Sequence, residues 1–196
     1  MTAICIRLSA DFAVFAADTL MTTDERGFGF CSKVLAFPHL GLIMASCGSG
    51  VVTDDFWRFL QRNFSRDGRQ ALSGPEALRE AYAEHRHPIT QLPMPTRVFL
   101  AQATGDGIQA AHFGSPDFAS EQLQVPARVA VPSVEYDDWA NPLAEPVDFA
   151  RMIAAQKRLN SRQCSIGDEV TVVRLDCNGT ITMYPKINAR EHEQIH

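Results

Sequence analysis

The sequence predicts an α+β fold in which two mainly antiparallel sheets pack face to face with helices outside. Three observations carry that expectation. Short extended runs are grouped before and after helical segments instead of alternating with them one for one, which argues against a parallel βαβ sheet. Tight turn signals join successive strands, as hairpins require. The chain has 196 residues and is 45% hydrophobic, enough for one sizeable core and suited to a single domain over 1–196.

Residues 2–9 and 12–17 read as strands joined through Ser9-Ala10-Asp11, and the second runs straight into Asp18. Further short extended pieces surround Asp24-Glu25-Arg26-Gly27 in 19–37. The run LGLIMAS (40–46) is continuously apolar, so it reads as a strand buried on both faces. Val52, Phe56, Phe59, Leu60 and Phe64 then recur at helical spacing over 52–64. Ser73-Gly74-Pro75-Glu76 is a capping-box pattern with an early proline, opening a second helix to about His85. A proline-rich loop follows at 88–95.

Strands resume at RVFLAQAT and IQAAHF across Gly105-Asp106-Gly107, with another short strand at ARVAVP. Pro146 opens a third helix to about Leu159. EVTVVRLD and TITMYP then pair across Cys177-Asn178-Gly179, since Asn-Gly is a strong two-residue hairpin signal. Asn178-Gly179-Thr180 also fits a glycosylation sequon, but without a secretory signal the turn reading prevails.

The formal charge is −5 and no Lys/Arg block occurs, which argues against a nucleic-acid partner. No apolar run reaches the ~18–20 residues of a membrane span, and the N-terminus lacks a signal-peptide pattern. Five cysteines without a C-x-x-C pair suggest reduced thiols and a cytoplasmic location. The six histidines show no metal-binding spacing, so neither metal nor cofactor is expected. Lysine is scarce: Lys33, Lys157 and Lys186 stand against fifteen arginines.

Four stretches together resemble the proteasome β-type subunits of the N-terminal-nucleophile hydrolases: Met1-Thr2-Ala3-Ile4, VFAADT (14–19), CSKVLAF (31–37) and GLIMASCGSG (41–50). The resemblance covers roughly the first 65 residues and weakens afterwards. It implies a four-layer αββα sandwich and a threonine peptidase of bacterial proteasome-like type. It implies Thr2 as nucleophile after Met1 removal, with Asp18 and Lys33 as its partners. Lys33 comes one residue earlier than the family pattern. The oxyanion-hole amide falls on Ser46, or on Gly48 if the turn shifts, and the supporting serine corresponds to Ser133 in a VPS context. One of the family's two late helices is replaced by PSVEYDDWANPLAEP. The implied partners are other copies of the chain in a ring or other closed homo-oligomer, a peptide or unfolded-protein substrate, and an ATP-dependent unfoldase. Two alternatives share the fold: a non-catalytic scaffold subunit, and an amidase for small amides.

The chemistry suits these residue types. A threonine hydroxyl needs a base, and an N-terminal threonine carries one in its own α-amine. That amine titrates near ~7.7–8.0, far below a lysine's ~10.4. A neighbouring cation favours its neutral form. Cys47, beside the glycine-rich turn, reads as either a buried or a reactive thiol, and Trp57 lies at the edge of a wide apolar stripe that suggests a subunit contact.

Overall fold

A computed structural model describes residues 2–23, 26–63, 84, 96–114, 120–133, 145–160 and 166–192. The helix expected over 73–85, the loop at 88–95, most of PSVEYDDWANPLAEP, and Phe64 lie outside the described residues.

Two large antiparallel sheets form the body. The first contains β1 (Ile4–Leu8), β2 (Phe12–Asp18), β10 (Ala127–Val131), β11 (Glu169–Asp176) and β12 (Ile181–Met183), in the order β10-β1-β2-β11-β12. The two-residue β13 (Ile187–Asn188) also pairs with β11. The second contains β5 (Val34–Phe37), β6 (Leu42–Cys47), β7 (Arg97–Thr104), β8 (Gly107–Gly114) and β9 (Ser120–Leu123), in chain order. A separate hairpin is formed by β3 (Leu20–Thr23) and β4 (Arg26–Phe30). Helix α1 (Gly50–Asn63) and helix α2 (Pro146–Asn160) complete the layers.

Side-chain alternation explains the stacking. Ile4, Ile6, Leu8 and Phe15 of the first sheet meet Val34, Ile43, Ala45 and Phe99 of the second between the sheets. On the outer face of the second sheet, Leu42, Met44, Leu100 and Phe113 receive Val52, Phe56, Phe59 and Leu60 of α1. On the outer face of the first, Cys5, Val14, Ala16 and Val172 receive Phe149, Met152 and Ile153 of α2. The order is therefore helix, sheet, sheet, helix: the four-layer αββα sandwich. The apolar run expected as a strand over 40–46 forms β6 only from Leu42, where it is covered on both faces; Leu40 instead ends a short 3-10 turn (Pro38–Leu40) and Gly41 is left-handed at φ 54°.

The turns follow their local chemistry. Gly107 closes the β7–β8 hairpin at φ 103° and Gly179 the β11–β12 hairpin at φ 84°, both in a region that disfavours side chains. The Asn178 side chain accepts the Thr180 amide at 2.9 Å, an Asx turn of the kind that supports this hairpin. Strands β9 and β13 were not expected from sequence. SEQL is polar, and a two-residue strand carries no period.

Candidate functional site

The β1–β2 hairpin sets the first half of the site. Its register pairs Ile4 with Ala17, so the next residues outward, Ala3 and Asp18, face each other. The Asp18 amide donates to the Ala3 carbonyl at 3.2 Å, and the Ala3 amide donates to Asp18 Oδ1 at 2.8 Å. Thr2 is thereby held one residue from the carboxylate, and it is 8% exposed.

The second half comes from the facing sheet. Lys33 precedes β5, whose register pairs Val34 with Ala45. Its Nζ crosses to the first sheet and donates to both oxygens of Asp18, each at 3.0 Å. Asp18 is fully buried and the Lys33 side chain is 9% exposed. A carboxylate so placed needs a cation and further donors, because burying an isolated charge is prohibitive. Gly167 supplies another donor, its amide lying 3.0 Å from Asp18 Oδ2.

Ser46 and Gly48 flank the end of β6. Ser46 shares the outward face with Leu42 and Met44, and its Oγ lies 2.7 Å from Thr53 Oγ1 on α1. The serine side chain is thus turned towards the helix and away from the space between the sheets. Gly48 has φ 103°. The following amide, of Ser49, donates to Thr96 Oγ1 at 2.8 Å, which anchors the turn to the start of β7.

Cys47 lies on the inner face between them, close enough to Lys33 to feel its charge. Burial pushes the Cys47 thiol up, and the Arg97 backbone hydrogen bond and the Arg97 and Lys33 charges oppose that only in part. The thiol form is therefore favoured, which weighs against the reactive reading of Cys47. Ser133 is exposed, two residues past the end of β10, whose register sets Val131 opposite Ile4. No hydrogen bond joins it to Thr2, Asp18 or Lys33 among the described residues. Among the described residues no group of three His, Cys, Asp or Glu side chains is gathered as a metal site, and no helix is long and apolar enough to cross a membrane.

Three contributors were not singled out from sequence: Gly167, Gln156 and Thr96. Gly167 sits in SIGDE, immediately ahead of a strand. Gln156 is fully buried on the apolar face of α2, and its Nε2 donates to the carbonyls of Ile4 and Pro132, each at 3.0 Å. A glutamine among Phe149, Met152 and Ile153 at helical spacing was a readable signal.

The four layers define an αββα sandwich, with the paired Asp18–Lys33 at one end of it. Solved structures that share this fold include two Anbu proteins. The Anbu (Gly-1) mutant from Hyphomicrobium sp. strain MC1 superposes with TM-score 0.67 at 14% identity, covering 96% of this chain and 88% of that one. Anbu (ancestral beta-subunit) from Yersinia bercovieri gives TM-score 0.65 at 16% identity, covering 96% and 87%. No protein-family model and no curated protein matches the chain. The resemblance to proteasome β-type subunits is accordingly corrected. At 14–16% identity the likeness is one of fold and does not place the chain in that family. The physical reason lies in where the quoted stretches fall. Apart from Thr2 and Ala3 ahead of β1 and Cys31–Lys33 ahead of β5, their described residues lie on or beside β1, β2, β5 and β6, where this sandwich buries apolar strands.

Proposed function

We propose that the chain is a threonine-type hydrolase that cuts peptide bonds with Thr2 as N-terminal nucleophile once Met1 is removed. The observation that carries this reading is the shared carboxylate: Asp18 holds both the amide next to Thr2 and the Lys33 ammonium. The four-layer fold shared with the Anbu structures supports it.

In the proposed reaction the Thr2 hydroxyl gives its proton to the free α-amine as Oγ bonds to the substrate carbonyl carbon. The Lys33 cation keeps that amine neutral and basic, because two neighbouring cations are disfavoured. The backbone N–H of Ser46 or Gly48 receives the oxyanion. Since the Ser46 hydroxyl is engaged by Thr53, it leaves the substrate's space open. The C–N bond then breaks as the amine leaving group takes the proton, and an ester on Thr2 remains. Water, deprotonated by the same α-amine, cleaves the ester and restores the hydroxyl. Ser133 supplies a polar neighbour at the rim. The working form is a closed homo-oligomer of single-domain subunits in the cytoplasm, acting on peptide or unfolded-protein substrates.

The test uses a reagent that bonds to both hydroxyl and α-amine, such as a peptide epoxyketone. Protein whose intact mass shows that Met1 is absent should be labelled at Thr2, and Thr2→Ala should abolish labelling with the oligomer intact. Full activity in protein that quantitatively keeps Met1 would overturn the mechanism. Failure to label Met1-free protein would favour the scaffold. Turnover of small amides by a monomer, with unfolded protein left uncut, would favour the amidase.

A further inference from the structure

We infer that Gly167 is a positioning residue for the Asp18–Lys33 pair, required at this place because it has an amide and lacks a side chain. The inference deepens the proposed hydrolase reading, and rests on it for the kinetic part of its test.

Each oxygen of Asp18 is divided between Lys33 and one backbone amide. Oδ1 accepts from Lys33 and Ala3, and Oδ2 accepts from Lys33 and Gly167. Two amides on opposite oxygens fix the plane of the carboxylate. Rotation about its last bond would break both hydrogen bonds, and with them the approach of Lys33 to both oxygens. The Ala3 amide lies one residue ahead of β1 and next to Thr2, so its place follows from the β1–β2 pairing. Gly167 comes from a different part of the chain, 149 residues away in sequence, and provides the second anchor.

The space at Gly167 is occupied. A Cβ there would come within 2.7 Å of Leu20 Cβ and 3.1 Å of the Leu20 amide nitrogen, with Asp18 Oδ2 at 3.5 Å. Leu20 is two residues past Asp18, so a displaced Gly167 or Leu20 shifts the carboxylate or removes its second amide.

The flanks leave little slack. Ile166 is buried under α2. Asp168 pairs with Lys157 and Arg190, and its carbonyl accepts from the Ala189 amide at 2.6 Å. The Glu169 carbonyl accepts from the Thr19 amide at 3.0 Å, and Glu169 Oε1 accepts from Thr19 Oγ1 at 3.1 Å. Residues on both sides of Gly167 are thus fastened to the residues that follow Asp18, or to α2 and the C-terminal segment. A side chain at 167 cannot be absorbed by sliding the segment outward.

The test is lysine NMR on the full chain with 13Cε-labelled lysine, where only Lys33, Lys157 and Lys186 give signals. In Gly167→Ala the Lys33 signal should move, and kcat for a fluorogenic peptide should fall on the order of 10²-fold with KM near its original value. A folded Gly167→Ala in which Lys33 keeps its position, while only Lys157 or Lys186 shifts, would overturn the inference, since Gly167 would then shape only its own segment. A shifted Lys33 signal with no turnover even in unmodified, Met1-free protein would uphold the positioning role and sink the hydrolase reading. If Gly167→Ala does not fold, amide hydrogen exchange at Gly167 in the unmodified chain decides. Slow exchange that Leu20→Gly leaves in place supports the bond to Asp18, and exchange at the rate of an unstructured amide overturns it.

Discussion

The Ala3 amide and the Lys33 ammonium meet on one oxygen of Asp18, at 2.8 and 3.0 Å, although the two donors come from different sheets. Asp18 is fully buried, so its charge depends on these donors. Lys33→Ala should therefore do more than silence chemistry. Removing one partner of a buried pair leaves an uncompensated charge and should cost about 3–5 kcal/mol of stability. The double change Asp18→Asn with Lys33→Met should recover much of that loss while remaining inactive. Chemical denaturation and peptide turnover measured together check both statements.

The turn proposed to receive the oxyanion separates two roles. Ser46→Ala removes the hydroxyl bonded to Thr53 and should cost about 0.5–1.5 kcal/mol with turnover little changed. Gly48→Ala places a side chain at φ 103° and should cost about 1–3 kcal/mol while lowering turnover. Equal loss of turnover in both variants would contradict the separation.

The thiols should react in a set order. The Cys5 pKa is pushed up to about 12 by burial, against the opposing charge of Arg128, so Cys5 stays protonated at neutral pH. Among the described cysteines, exposed Cys31 and Cys177 should be alkylated first, Cys47 slowly, and Cys5 only on unfolding. Mass mapping after brief iodoacetamide treatment at pH 7.5 reads the order.

Glu169 contributes an acid-sensitive contact. Its hydrogen bond from Lys186, with a smaller one from Thr19, holds its pKa below the ordinary carboxylate value. A depressed carboxylate stabilises the fold above its unfolded pKa and loses that contribution as pH falls through the folded one. Lys186→Met should therefore lower stability at neutral pH slightly, with the difference vanishing in acid below that lower value. A difference that grows on acidification would refute the assignment.

Assembly should involve α1. Phe56, Phe59 and Leu60 are buried against the sheet, with the Phe56 ring edge-on to Phe113 at 5.3 Å, whereas Trp57 is 39% exposed. Trp57→Glu should weaken a closed oligomer without unfolding the subunit. Light scattering that gives 21.7 kDa for the unmodified chain at micromolar concentration would reject the oligomer.

Elements with a strong period or a strong turn were legible in the sequence. The 42–46 strand, the α1 stripe and the Asn178-Gly179 hairpin are cases where local pattern and tertiary demand agree. The Asp18–Lys33 meeting was legible only by resemblance, since nothing local tells a lysine ahead of β5 to reach across to the other sheet. Gly167 was not legible. Its amide acts through a fold-level approach to Asp18, and a glycine before a strand has many ordinary explanations. Gln156 was visible as a polar interruption of an apolar helix face, but its acceptors, on β1 and just past β10, belong to distant chain.

The placement of β1 between β2 and β10 has a consequence for timing. The hairpin partner β2 emerges from the ribosome immediately after β1, whereas β10 and the covering helix α2 are made only once most of the chain has been synthesised. Until then the strand that begins beside Thr2 lacks one neighbour and its roof. In the folded chain Thr2 is buried, so an aminopeptidase would meet the N-terminus most readily on the nascent chain. On the mechanism proposed above, maturation would then be a contest between trimming and translation.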